Sequence, residues 1–160
     1  MVKVSTDISA QPGTRFTLEF AAGNSAVDYE YAIQWFLERQ PGSWHDMAQT
    51  IEQMLDLIYS GYYSIILLRD NYHNSYVAML VYSLRDCTHG MQATIEMVTC
   101  SKFHRTIKFL REVEEFFRKL GCFRVRTMAH PTIAQYLAAR RDYSVAGIVV
   151  EKTLDVRMCN

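Results

Sequence analysis

Thiols are few in this chain and are not spaced as ligands. Cys87, Cys100, Cys122 and Cys159 contain no CxxC pair and have no His at zinc-finger intervals. A disulfide framework and a structural metal are therefore not expected, and free thiols in a reducing compartment are. Glycine and proline are also sparse, at 7 and 3 residues. No Walker loop, Rossmann fingerprint or G-x-S-x-G elbow occurs, which removes the usual glycine-dependent phosphate and nucleophile motifs. Neither sign of charge is in excess, since Lys+Arg and Asp+Glu both number 17. General nucleic-acid binding draws on counterion release by a basic surplus, so it is not expected here. No apolar run approaches the ~20 residues of a membrane span. The opening MVKVSTDISAQPG is polar and has no apolar stretch of a secretory signal. A cytosolic or particle-enclosed protein is the expectation.

What is present suits an ordinary globular fold, with 49% apolar and 21% charged residues in 160. That length predicts one domain over 14–154, with a loose arm at 1–13 and a polar tail at 155–160. Thr14–Phe20 alternates, with Phe16, Leu18 and Phe20 on one face, and predicts a half-buried strand. Ala21–Asn24 reads as a turn, with Asn24 or Ser25 capping a helix over Ala26–Arg39 whose stripe is Val27, Tyr31, Trp35 and Phe36, widened by Ile33 and Leu37. Pro41-Gly42 breaks that helix. A second begins at Ser43 with Asp46 in a capping box, buries Met47, Ile51, Met54, Leu55 and Ile58, and stops at Gly61.

Tyr62–Arg69, Ser75–Leu84 and Met91–Ser101 then read as an antiparallel meander joined by polar turns. Tyr59, Tyr62, Tyr63, Tyr72, Tyr76 and Tyr82 gather around its first hairpin, where exposed tyrosines would suit a protein contact and alternation would equally pack them. The strongest helix is Thr106–Leu120, burying Ile107, Leu110, Val113, Phe117 and Leu120, with i,i+4 pairs Lys108–Glu112, Arg111–Glu115 and Glu114–Arg118 outside and Gly121 at its end. Cys122–Met128 follows as a strand. Strand, helix, strand predicts a right-handed crossover that sets 122–128 parallel beside 91–101. A helix at Thr132–Arg140 and a strand at Gly147–Leu154 complete the order β-α-α-β-β-β-α-β-α-β.

That order resembles the GNAT acyl-CoA N-acyltransferases over about residues 14–154, most clearly in KFLREVEEFFRKLGCFRVRTM and IAQYLAARRDYSVAGIVVEKTL. The resemblance implies an α/β (α+β) fold with a mixed, mostly antiparallel central sheet and helices on both faces. It implies acetyl-CoA as cosubstrate, lying between strands 91–101 and 122–128 along Val98 and Cys100, and no metal. Family members hold the pyrophosphate on an R/Q-x-x-G-x-G/A loop opening the long helix, where small residues let phosphate approach the backbone. Here the corresponding positions are Ser101, His104 and Thr106. With no glycine, contact would come from the side chains of Lys102, His104 and Arg105 at the positive helix end.

For chemistry, Glu96 stands between Ile95 and Met97 in an otherwise apolar strand, so it faces either solvent or a cleft where it would act as general base. His89 and His130 lie in loops beside strand ends as further candidate bases. The family's thiolate acid is a Tyr at the position of Ala138. Tyr136 lies two residues earlier and is the nearest substitute. Two functions follow. One is acetyl transfer from acetyl-CoA to an amine substrate. The other is a catalytically inactive structural or protein-binding module, working in a homo-oligomer or larger assembly. Short chains with such replacements resemble proteins carried by bacteriophages, some of them particle components.

Overall fold

A computed structural model of the chain describes residues 14–39, 50–100, 107–128, 131–140 and 142–144. These fall into two compact units, one running to Thr127 and one from Met128. The first unit is built on a five-stranded sheet in the order β1-β2-β3-β4-β5. Strands β1 (Phe16–Ala22), β2 (Ser64–Asp70), β3 (Ser75–Cys87) and β4 (Gly90–Cys100) pair antiparallel in sequence. Strand β5 (Cys122–Thr127) lies parallel to β4 as the crossover rule requires.

Alternation assigns the two sheet faces. Ala21, Ile65, Leu67, Met79, Val81 and Met97 pack against α1 (Glu30–Glu38) and α2 (Ile51–Tyr59) through Ile33, Phe36, Leu37, Met54 and Ile58. Ile66, Tyr82, Ala93 and Ile95 pack on the other face against Val113, Phe116 and Phe117 of α3 (Leu110–Lys119), where Phe20 also stacks on Phe116 at 4.0 Å. Gly61 (φ +80°) and Gly121 (φ +85°) end α2 and α3 in the left-handed conformation that favours glycine, as expected.

Several expectations are corrected. Strand β1 continues to Ala22, because Ala21 and Ala22 still pair with Ile65 and Ser64, so no turn begins at Ala21. Residues Gly23–Tyr29 form a 3-10 helix, and α-geometry starts only at Glu30. Neither Asn24 nor Ser25 is the N-cap: Ala22 is, and Ser25 is the third residue of the 3-10 helix, its hydroxyl accepting from the Ala22 N–H at 3.0 Å and donating to the Ala22 carbonyl at 2.9 Å. The tighter 3-10 turn shifts the phase of the helix behind it. Its buried face is therefore Ala32, Ile33, Phe36 and Leu37, while Tyr31 is 85% exposed and Val27 is also exposed.

In α2 the cap is Thr50, whose hydroxyl accepts from Gln53 N–H at 3.2 Å while Gln53 Oε1 accepts from the Thr50 N–H at 2.9 Å. The box expected at Ser43 and Asp46 lies outside the described residues. The β3–β4 turn is shorter than expected, since the strands pair out to Cys87 and Gly90. On α3, Glu115 pairs with Arg118 rather than with Arg111. Phe116, not part of the expected stripe, is buried beside Phe117. The described part of the second unit is α4 (Pro131–Arg140) and a turn in which the Tyr143 N–H donates to the Leu137 carbonyl at 3.4 Å. The expected last strand, 147–154, lies outside the described residues.

Candidate functional site

The site candidate begins with an irregularity in β4. Val81 pairs with Met97 and Tyr82 with Ile95, so Glu96 has no partner on β3 and forms a β-bulge. In a regular strand Ile95 and Met97 would share a face. Instead, Ile95 packs on the α3 side and Met97 on the α1–α2 side. The phase changes at the bulge, and Glu96, two residues from Thr94, follows Thr94 onto the α1–α2 side. Thr94 is paired there with Ser83, which alternates with Tyr82 of the α3 side.

The carboxylate is held on one oxygen. Ser83 Oγ donates to Glu96 Oε1 at 2.6 Å, a charge-assisted length. Ser83 is 4% exposed and Glu96 is half-buried. Gln92 Nε2 donates to Thr94 Oγ1 at 3.4 Å, extending the polar strip along β4. Glu96 Oε2 makes no hydrogen bond among the described residues.

The second feature is where β4 leaves β5. Their parallel pairing runs from Met91–Cys122 to Ile95–Thr127 and stops there. Beyond the bulge, from Met97 to Cys100, β4 pairs with β3, and from Glu96 to Cys100 it has no β5 partner among the described residues. Val98 is exposed and Cys100 is half-buried with a free thiol along this length. A sheet edge that opens in this way leaves backbone groups available to an extended ligand arm.

The remaining predicted residues are less well placed. Ser101, Lys102, His104, Arg105 and Thr106 lie outside the described residues, as does His130. His89 is exposed at the β3–β4 turn, with its ring edge-on to Phe123 at 6.4 Å. Tyr136 is 36% exposed on α4, in the second unit. Among the described residues no three His, Cys, Asp or Glu side chains group to hold a metal. No helix among them is long and apolar enough to cross a membrane.

The tyrosine group divides. Tyr63 and Tyr82 are buried, the latter pushed up to about 12 chiefly by that burial, and Tyr62 and Tyr72 are exposed. Tyr76 donates to Glu19 Oε2 at 2.8 Å while Arg69 Nη1 donates to Glu19 Oε1 at 3.2 Å. Burial and the Glu19 carboxylate raise both the Tyr76 and Tyr29 phenols. Nearby, Asp70 is buried beneath the β2–β3 turn, bound by His73 Nδ1 at 3.0 Å and Arg15 Nη2 at 3.1 Å. Those two contacts hold it well below the usual carboxylate range.

Comparison with known proteins agrees with this geometry at the level of fold. No protein-family model matches the sequence, and no curated protein sequence matches it. Solved structures do match. An aminoglycoside acetyltransferase from an uncultured soil metagenomic sample superposes with a TM-score of 0.62 at 15% identity, covering 88% of this chain and 97% of its own. An integron cassette protein from the mobile metagenome of V. cholerae gives 0.62 at 11% identity, covering 90% and 95%. An aminoglycoside N-acetyltransferase in complex with CoA gives 0.59 at 10% identity, covering 91% and 99%. The chain has the GNAT acetyltransferase fold.

Proposed function

We propose that the chain transfers an acetyl group from acetyl-CoA to an amine. The observation that carries this reading is the bulge at Glu96, which turns a carboxylate onto the α1–α2 face at the point where β4 parts from β5. The thioester would lie along the unpaired edge from Glu96 to Cys100, with strand N–H groups polarising its carbonyl. The amine nitrogen attacks the carbonyl carbon, the C–S bond breaks, and the CoA thiolate leaves. Glu96 Oε2, directly or through water, takes the proton the nitrogen loses. Tyr136 is proposed as the acid that reprotonates the thiolate, on the family resemblance alone. Lys102, His104 and Arg105 are proposed to meet the pyrophosphate with side chains, since Ser101, His104 and Thr106 replace the small residues of the family loop. The acceptor class is an amine that approaches over α1 and α2.

That same replacement favours the second reading, a catalytically inactive binding module, of the kind that a bacteriophage particle would carry. One experiment separates the two. Titration of the chain with acetyl-CoA in a calorimeter, followed by a product assay with an amine panel, is expected to give saturable heat and acetylated amine. Absence of both at millimolar acetyl-CoA sinks the enzymatic reading, and recovery of the protein at fixed copy number in a purified assembly then supports the other.

A further inference from the structure

We propose that Ser83 is a positioning residue for the reaction above: it fixes one oxygen of Glu96 so that the other faces the acceptor amine. This rests on the acetyl-transfer reading and adds a residue on a different strand. Within β3, the run Val81, Tyr82, Ser83 places Ser83 on the same face as Val81, where an apolar side chain would continue the core against α1 and α2. A hydroxyl on a residue only 4% exposed at such a position needs a partner. It has one in Glu96 Oε1, at 2.6 Å.

The bulge makes the contact geometrically natural. Ser83 pairs with Thr94, and Glu96 stands one pleat further along β4 on the same face, diagonal to Ser83. The extra residue breaks the β3–β4 ladder at Glu96, so the side chain is not fixed by a cross-strand neighbour directly opposite. A long carboxylate side chain at a bulge has rotamer freedom that the hydroxyl removes. Ser83 holds Oε1, and Oε2 keeps its lone pairs for the substrate proton. A general base works only when it is aimed at the proton it takes, so the hydrogen bond acts on the chemical step rather than on substrate affinity.

The test is a double-mutant cycle on the full chain, with Ser83→Ala and Glu96→Gln made singly and together. Ser83→Ala is expected to lower kcat by about tenfold, the scale of a hydrogen bond to a charged group, with KM for acetyl-CoA and amine within about twofold. Ser83→Thr, which keeps the hydroxyl, is expected to restore most of kcat. In the Glu96→Gln background Ser83→Ala is expected to change kcat no further. An equal loss in both backgrounds, or a loss carried wholly by KM, overturns the assignment and makes Ser83 a packing residue. A readout independent of turnover is the Ser83 hydroxyl proton by NMR. Bound to a carboxylate at this length, it is expected downfield and slow to exchange, and to move upfield in Glu96→Gln. A signal unmoved by that substitution overturns the contact itself. A wild-type chain that acetylates no amine overturns the enzymatic reading, and the positioning role with it, whatever the proton signal shows.

Discussion

Glu19 and Glu96 are two glutamates set on the same face of the same sheet, and they differ in what their second oxygen does. Glu19 gives one oxygen to Arg69 and the other to Tyr76. Asp70, one residue beyond Arg69, is likewise enclosed by Arg15, His73 and the Tyr72 N–H. At that end of the sheet the carboxylates tie β1, β2 and β3 together and have both oxygens partnered. Among the described residues, Glu96 is held by Ser83 alone and stands at a break in the ladder, on a length of β4 that has no β5 partner. A carboxylate with both oxygens partnered is a fastener, whereas one left half-free at a bulge is suited to exchange a proton.

Removing the charge at each site is the strongest way to break the contrast. Glu96→Gln is expected to lower kcat by about 10²–10⁴, the usual scale for a general base, with the melting temperature little changed. Steady-state acetyl-transfer kinetics beside a thermal melt decides it, and full activity in this variant would end the assignment. Glu19→Ala is expected to behave oppositely. It leaves Arg69 and Tyr76 without their carboxylate and costs about 1–3 kcal/mol of stability, while kcat per folded molecule stays near wild type.

How far these two glutamates were legible from sequence differs for a physical reason. Glu96 is conspicuous, because a charge between Ile95 and Met97 interrupts an apolar strand. Its bulge is not, since an inserted residue leaves the composition of the strand unchanged and only register reveals it. Ser83 has a faint signal, the one small hydroxyl residue in YVAMLVYSL, at a core position. The Glu19–Tyr76 pair joins residues 57 apart, a contact that no local pattern encodes. Elements followed alternation and turn chemistry, so the meander and the parallel crossover were readable. The face of α1 is not legible in the sequence, because the 3-10 turn before it alters the period that a stripe running from Val27 assumes.

Acid sharpens the contrast further. His73 first, then Arg15, hold Asp70 below its ordinary range, so the folded chain keeps this carboxylate charged at lower pH than the unfolded chain does. The unfolded state therefore binds more protons in acid. The contribution is complete above about pH 4 and is lost as pH falls below that value. Wild type is expected to hold its melting temperature down to about pH 4 as far as Asp70 is concerned and to lose it steeply between there and pH ~2, and Asp70→Asn to start lower and decline less. Parallel declines in the two proteins would show that the turn network carries no linkage.

The smallest effect comes from two hydroxyl deletions on the same sheet face. Tyr76→Phe removes one donor from Glu19 but leaves Arg69 in place, so the carboxylate stays partnered. The expected loss is about 1.5 kcal/mol of stability, the low end for a hydrogen bond to a charged group because Arg69 still holds the carboxylate, with kcat and KM unchanged. Ser83→Ala also removes one donor from one glutamate, but its expected effect falls on kcat. If denaturant unfolding and kinetics give the two variants the same profile, the sheet treats both glutamates alike and the division between fastening and reacting carboxylates fails. If Tyr76→Phe moves only stability and Ser83→Ala mainly kcat, the difference lies in the Glu96 oxygen that has no partner among the described residues.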